Sequence, residues 1–352
     1  MYYFFLAAIS VLYFTANYLY LDKKKSAIEI VNEMGIGYNL GNSFDSFTNE
    51  TIDNINELII SKGNPIPTKK SIKLIKKYGF KTIIFPITWL NFIDEMGNIN
   101  SEWMSRVKEI VNWIIDEQMF CIINLYNDGL YGNWLSEGLK VKDKFINLWK
   151  QIANQFKDYD EHLIFESMDK IEIYNNDYNY DFIALNKLTQ GFIDVVRKSG
   201  GKNEERLLLI SGAINDLTFI FYPEYIMPID PSNNLALSIH YYYPSEFVFT
   251  TNYETIWYDE NGIEYYYSSP KKWGSNAEYN EITVNCELMK KYFVDKGIPV
   301  IITEIGVLTE EKKEIESIRE YLYSIFSISV DYSGIMACLW DTSSKVEGDM
   351  NY

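Results

Sequence analysis

An α/β fold with parallel strands closed into a (β/α)8 TIM barrel is predicted by three features of this 352-residue sequence. Eight short apolar runs recur along it, helical patterns stand between them, and no low-complexity linker or shift in composition divides the chain beyond residue 26. Strands that are apolar throughout are covered on both faces, and their alternation with helices implies right-handed parallel crossovers. Eight such units close naturally into a barrel. A doubly wound sheet would give the same alternation. Against it, GIGYNLG has one residue too many for the dinucleotide fingerprint GxGxxG, and no acidic partner follows a second strand.

The predicted strands, in order, are MGIGYNLG (34–41), KTIIFPITW (81–89), FCIINLY (120–126), HLIFESM (162–168), RLLLISGA (206–213), LALSIHYYY (235–243), PVIITEIG (299–306) and GIMACLWD (334–341). After Pro67-Thr68, Ile72, Ile75 and Tyr78 share one helical face and Gly79 supplies the stop. Trp103, Val107, Ile110, Val111, Ile114 and Ile115 hold the 3.6-residue period through a full helix. Leu148, Ile152 and Phe156 repeat it, as do Leu188, Phe192 and Val195 before Gly200-Gly201. Leu288 and Phe293 precede Gly297 and Pro299, and Ile315, Ile318, Leu322 and Ile325 form the last apolar face.

Composition narrows the function classes. With 49 acidic against 32 basic residues the net charge is −17, which repels nucleic-acid phosphates and anionic membrane surfaces. Three cysteines without CxxC spacing (Cys121, Cys286, Cys338) and two histidines (His162, His240) offer few ligands for a zinc site, so no metal and no cofactor are expected. The thiols read as core residues. The first 21 residues carry no charge and run into Asp22 and Lys23-Lys24-Lys25, so 1–25 is expected to be a signal peptide or membrane anchor, and 26–352 the barrel. Secretion or attachment to the cell surface is the expected location. The sequon Asn49-Glu50-Thr51 is compatible with it.

Barrel enzymes place their chemistry at the C-terminal ends of the strands. Those ends read Asn39, Trp89, Tyr126 with Asn127-Asp128, Asp169-Lys170, His240-Tyr241-Tyr242, Glu304 and Trp340-Asp341. This aromatic and polar rim suits a carbohydrate, whose apolar ring faces stack on aromatics while its hydroxyls take hydrogen bonds. Asn39, Trp89, Tyr126 and Trp340 are the candidate sugar contacts.

From about residue 28 to 341 the chain resembles glycoside hydrolase family 5, in particular its cellulase-like endo-β-glucanases. GIGYNLGNSFD is similar to the family's opening GWNLGNxxD and GFKTIIFPITW to GFKTVRIPVTW, and WMSRVKEIVNWIID, LWKQIANQFKDYDEHLIFESM, HYYYP, GIPVIITEIG and LWD follow in family order and spacing. Such enzymes retain anomeric configuration by means of two glutamates about 5–5.5 Å apart, one a nucleophile and one an acid/base. The resemblance makes Glu304 in ITEIG the nucleophile, His240 and Tyr242 its flanking residues, and Trp340 the stacking tryptophan. A β-glucan or cello-oligosaccharide is the implied ligand.

The match breaks at specific positions. The family's Asn-Glu pair at the end of the fourth strand falls on Asp169 and Lys170, its second-strand arginine on Ile84, and the first of two histidines ending the third strand on Tyr126. A lysine with pKa near ~10.4 gives up its proton too reluctantly to assist a departing glycosidic oxygen. Asp169 is the nearest carboxylate that could take over the catalytic role, but alternation along a strand turns it away from the face used by its neighbour. The expectation is therefore a chain that is not an enzyme, with a Lys170–Glu304 ion pair filling the old catalytic centre and a surviving role in binding glycan or a protein partner of an extracellular assembly. The alternative is a weakly active retaining endo-β-1,4-glucanase relying on Glu304.

Two further features stand outside that comparison. An aromatic insertion runs from Tyr241 through Trp257 and Tyr265-Tyr266-Tyr267 to Trp273, and reads as a self-packed loop or a binding lip. Family barrels add a helix after the eighth strand, whereas SSKVEGDMNY (343–352) is too polar to form it. Either the chain is a fragment or its apolar N-terminal segment packs there.

Overall fold

The computed structural model describes residues 24–48, 54–61, 65–126, 142–169, 178–249, 255–258, 264–267, 272–308 and 313–341. Eight parallel strands close a barrel: β1 (Gly37–Leu40), β2 (Thr82–Phe85), β3 (Phe120–Asn124), β4 (Leu163–Glu166), β5 (Leu208–Asp216), β6 (Leu235–His240), β9 (Val300–Ile305) and β10 (Ile335–Asp341). Around the ring the order is β1, β10, β9, β6, β5, β4, β3, β2, so every strand pairs with its neighbours in the chain's barrel sequence. The remaining two, β7 (Thr255–Tyr258) and β8 (Glu264–Tyr267), form an antiparallel hairpin outside it. The rest of the aromatic insertion between Tyr241 and Trp273 lies largely outside the described residues, as do the leader 1–23 and the tail 342–352. Among the described residues no helix is long and apolar enough to cross a membrane.

The helices are α1 (Ala27–Met34), α2 (Ile55–Ile59), α3 (Lys69–Lys77), α4 (Ser101–Asp116), α5 (Lys142–Phe156), α6 (Tyr178–Lys198), α7 (Ser245–Val248), α8 (Asn276–Tyr292) and α9 (Ile315–Asp331). Their starts follow local chemistry. Ser26, Thr68 and Ser275 each accept from the backbone three residues on while that residue's side chain returns the bond, and Asn100 accepts from the amides of Glu102 and Trp103. Gly79, at φ +97°, ends the α3 turn in a conformation that a side chain disfavours. Two predicted faces are rotated from their expected positions. In α8 the buried face is Ile282, Cys286 and Met289, with Leu288 only partly covered, and in α9 Ile315 is exposed while Tyr321 is buried. Between β5 and β6 there is no α-helix at all, only a 3₁₀ turn at Phe219–Phe221.

Side chains alternate on each strand between the helix layer and the barrel interior. Ile83 and Phe85 of β2, Ile123 of β3 and Phe165 of β4 join the large cluster shared with the helices. The residues between them, Ile84, Ile122 and Ile164, meet Leu209, Ala236, Ile301, Met336 and Cys338 in a second cluster inside the barrel. Helix α1 adds Ala27, Ile30, Val31 and Met34 to that inner cluster and so closes the N-terminal mouth. Each such buried aliphatic side chain contributes about 1.5–3 kcal/mol relative to exposure. All three cysteines are buried free thiols.

Candidate active site

The inner wall changes character toward the C-terminal ends of the strands. One or two residues above the aliphatic cluster, the inward positions become Asn124 on β3, Glu166 on β4, Ser238 on β6 and Thr303 on β9, all buried. Asn124 donates to the Glu166 carboxyl at 3.0 Å, Ser238 Oγ donates to its other oxygen, and Ser238 and Thr303 hydroxyls lie 3.0 Å apart. Burial, with the Asp169 charge adding to it, pushes the Glu166 carboxyl up to about 8. At neutral pH this carboxyl is predominantly protonated. Asn39 of β1, fully buried, donates to the Thr303 carbonyl at 3.2 Å and so ties β1 across to β9 beneath the rim.

Directly above lies a cluster of three titratable groups. Glu304 occupies the penultimate position of β9 and is fully buried. A register shift between Ile239 and His240 makes Thr303 an extra residue and sets His240 opposite Glu304. Tyr242 donates its hydroxyl to Glu304 Oε2 at 2.8 Å, and His240 Nδ1 lies 3.2 Å from the same oxygen. The other imidazole nitrogen, Nε2, lies 2.9 Å from Asp169 Oδ1. One donor atom from each of Asp169, His240 and Glu304 can be chosen so that all three fall within 4.8 Å of one another. His240 thus faces one carboxyl group with each ring nitrogen, Glu304 across Nδ1 and Asp169 across Nε2.

The position of Asp169 differs from the sequence expectation, and the reason is local. Alternation holds only along a strand, and β4 ends at Glu166. Beyond it the chain is fixed by other bonds: Trp149 Nε1 donates to the Ser167 carbonyl at 2.9 Å, Ser211 Oγ to the Met168 carbonyl, and the Asp169 amide to the Leu125 carbonyl at 3.0 Å. These contacts bring the Asp169 side chain, almost fully buried, into the site. Lys170 lies outside the described residues, as does its expected ion pair with Glu304. Within the described chain, the Glu304 carboxylate is engaged by Tyr242 and His240. Ile84, at the position of the family arginine, packs in the inner aliphatic cluster and brings no charge to the site.

The aromatic candidates separate into two kinds. Tyr126 and Trp340 stack on each other, with centroids 6.1 Å apart and planes within 20°. Gly41 makes room for the indole, since a Cβ there would fall 2.9 Å from its ring atoms. Trp89 is fully enclosed and gives its indole N–H to the Asn124 carbonyl at 2.9 Å, so it packs the wall and presents no face to a sugar. Asp45, in the β1 loop, accepts from the Asn42 and Ser43 amides and holds Asn42 at φ +54°. The polar layer of Asn124, Glu166, Ser238 and Thr303 was not singled out from the sequence. Its signal is present there: in four largely apolar runs a polar residue falls two positions after an inward aliphatic one.

Known proteins resemble the chain over most of its length. The sequence model for Cellulase (glycosyl hydrolase family 5) matches residues 24–346. Endoglucanase A of Clostridium longisporum is 30% identical over 331 residues, 91% of this chain and 60% of that protein, and Endoglucanase A of Ruminococcus albus is 30% identical over 335 residues, 92% of this chain and 86% of that one. This chain thus spans about three-fifths of the length of the first. Among solved structures, a broad-specificity endoglucanase of family 5 from an uncultured bovine rumen ciliate is 50% identical, with a TM-score of 0.87 over 94% of this chain and 92% of that one. A family 5 lichenase from Caldicellulosiruptor sp. F32, solved with cellotetraose, is 28% identical with a TM-score of 0.83, over 94% and 90% of the two chains. These relatives are endoglucanases that match nearly the whole of this chain, which overturns the expectation of a chain that is not an enzyme. The chain belongs to the cellulases of glycosyl hydrolase family 5.

Proposed function

We propose that this protein is a retaining endo-β-1,4-glucanase in which Glu304 is the nucleophile. The observation that carries the reading is the setting of that carboxylate, buried at the C-terminal end of β9 and bonded by the Tyr242 hydroxyl at 2.8 Å. A second carboxylate, that of Asp169, lies across the same imidazole. A phenol and an imidazole aimed at one oxygen hold the carboxylate in a fixed orientation, as a nucleophile requires. Trp340, stacked on Tyr126 and 6% exposed, is the aromatic against which the proposal sets a sugar ring. β-Glucan and cello-oligosaccharides are the proposed substrates, in keeping with the relatives' names and with the cellotetraose bound to one of them. A polymer of that kind cannot enter a cell, and with the uncharged leader this supports work outside it.

Within this reading Lys170 is not the proton donor. It stands where the family resemblance places the acid/base glutamate, but an ammonium of ordinary pKa is a poor general acid near neutral pH. The test of the function is hydrolysis of cellohexaose and mixed-linkage β-glucan, followed by chromatography, with NMR of the first-formed anomer. Internal cleavage with the β-anomer appearing first is expected, and Glu304→Gln should reduce it by at least ~10⁴-fold. Cleavage unaffected by Glu304→Gln, or an α-anomer formed first, refutes the assignment.

A further inference from the structure

We infer that Asp169, with His240 as its proton partner, is the general acid/base of this enzyme; the inference rests on the retaining reading above. Three observations meet on it. First, separation: a retaining mechanism needs its two carboxyl groups about 5–5.5 Å apart, and donor atoms of Asp169 and Glu304 lie within 4.8 Å of each other. An inverting enzyme would need about 6.5–9.5 Å to admit a water between them. Second, placement: the Asp169 backbone is pinned from β3 and β5 by the Leu125 carbonyl and the Ser211 hydroxyl, so its carboxyl is held over the site by rigid elements. Third, a proton partner: the His240 imidazole lies between the two carboxyl groups, 2.9 Å from Asp169 and 3.2 Å from Glu304, where it can exchange a proton with Asp169.

The chemistry balances on these groups alone. In the first step a Glu304 oxygen bonds to the anomeric carbon, the glycosidic carbon–oxygen bond breaks, and its electron pair leaves on the oxygen, which takes the proton from the Asp169 carboxyl. Esterification removes the charge of Glu304, so the imidazole is left to pair with the new Asp169 carboxylate. In the second step the water oxygen bonds to the anomeric carbon as the bond from that carbon to Glu304 breaks, and Asp169 takes the water's proton. Glu304 thereby regains its charge, and the original protonation is restored.

The experiment compares Asp169→Asn with Lys170→Ala on two substrates, a cello-oligosaccharide and a 2,4-dinitrophenyl cellobioside whose leaving group needs no proton. Asp169→Asn should lose ~10²–10⁴-fold on the oligosaccharide. It should keep formation of the glycosyl-enzyme from the activated substrate, and added azide should give β-cellobiosyl azide. Azide product from Lys170→Ala and not from Asp169→Asn overturns the inference, as does a folded Asp169→Asn that loses both substrates alike. If Asp169→Asn does not fold, Lys170→Glu decides: a rise in oligosaccharide turnover below ~10-fold is expected, and a rise of ~10²-fold or more shows that an acid was missing. Each of these overturning results leaves the Glu304→Gln test standing, so failure here is distinguishable from failure of the glucanase reading.

Discussion

The two ends of one barrel interior differ in kind. At the N-terminal end, α1 and the inward residues Ile84, Ile122, Ile164, Leu209, Ala236 and Ile301 form an aliphatic plug. At the C-terminal end the same strands present Asn124, Glu166, Ser238, Thr303, His240 and Glu304, still buried. The first set is fixed by shape and hydrophobic burial, the second by hydrogen bonds that must all be satisfied. The contrast teaches where stability and chemistry reside. Adjacent inward positions of a single strand, such as Ile164 and Glu166, serve opposite ends.

If that division holds, changes in the plug alter stability and spare the chemistry. Ile122→Ala opens a cavity below the polar layer and should cost about 2–5 kcal/mol of unfolding free energy in urea titrations. The turnover number of the folded fraction should be nearly unchanged. A large fall in turnover without loss of stability would show the two ends to be coupled.

Glu166 tests the boundary between them. Its carboxyl keeps its proton up to about 8 in the folded state but loses it near its ordinary 4.5 in the unfolded chain. Between those values the folded state binds the extra proton, so this residue's contribution to stability falls as pH rises. Glu166→Gln removes that dependence. Relative to the parent, its melting temperature should improve on going from pH 5 to pH 8, by an amount corresponding to a few kcal/mol. A gap that does not vary with pH would mean that Glu166 is ionised in the fold.

At the upper end the expected effect is smaller and purely kinetic. Tyr242→Phe removes the hydroxyl bonded to Glu304, a charge-assisted bond whose loss should lower kcat by about 10- to 100-fold, with the melting temperature little changed. Equal falls in stability and rate would move Tyr242 into the structural half of the comparison.

What could be read from the sequence divides along the same line. The strand runs and most helical faces were legible because a continuous apolar run or a 3.6-residue stripe is a local signal. Glu304, His240 and Tyr242 were legible from motifs and do come together around one carboxylate. Asp169 was not, because strand alternation was carried three residues past Glu166, where β4 stops and the Leu125 and Ser211 contacts take over. Trp89 read as a rim aromatic, but its indole is spent on the Asn124 carbonyl inside the wall. The outward turn of Ile315 reflects its place in the first turn of α9, before the helix reaches the barrel.

Helix α1 carries a consequence for how the molecule is held. Just before it, Lys24 meets Glu205 and the Ser232 carbonyl, and Lys25 reaches Glu161. These partners lie in the segments that lead into β5, β6 and β4, so the chain enters the fold at the pole opposite Glu304. Residue 24 therefore sits at the closed pole, with the plug that α1 completes standing between it and the carboxyl groups of Glu304 and Asp169.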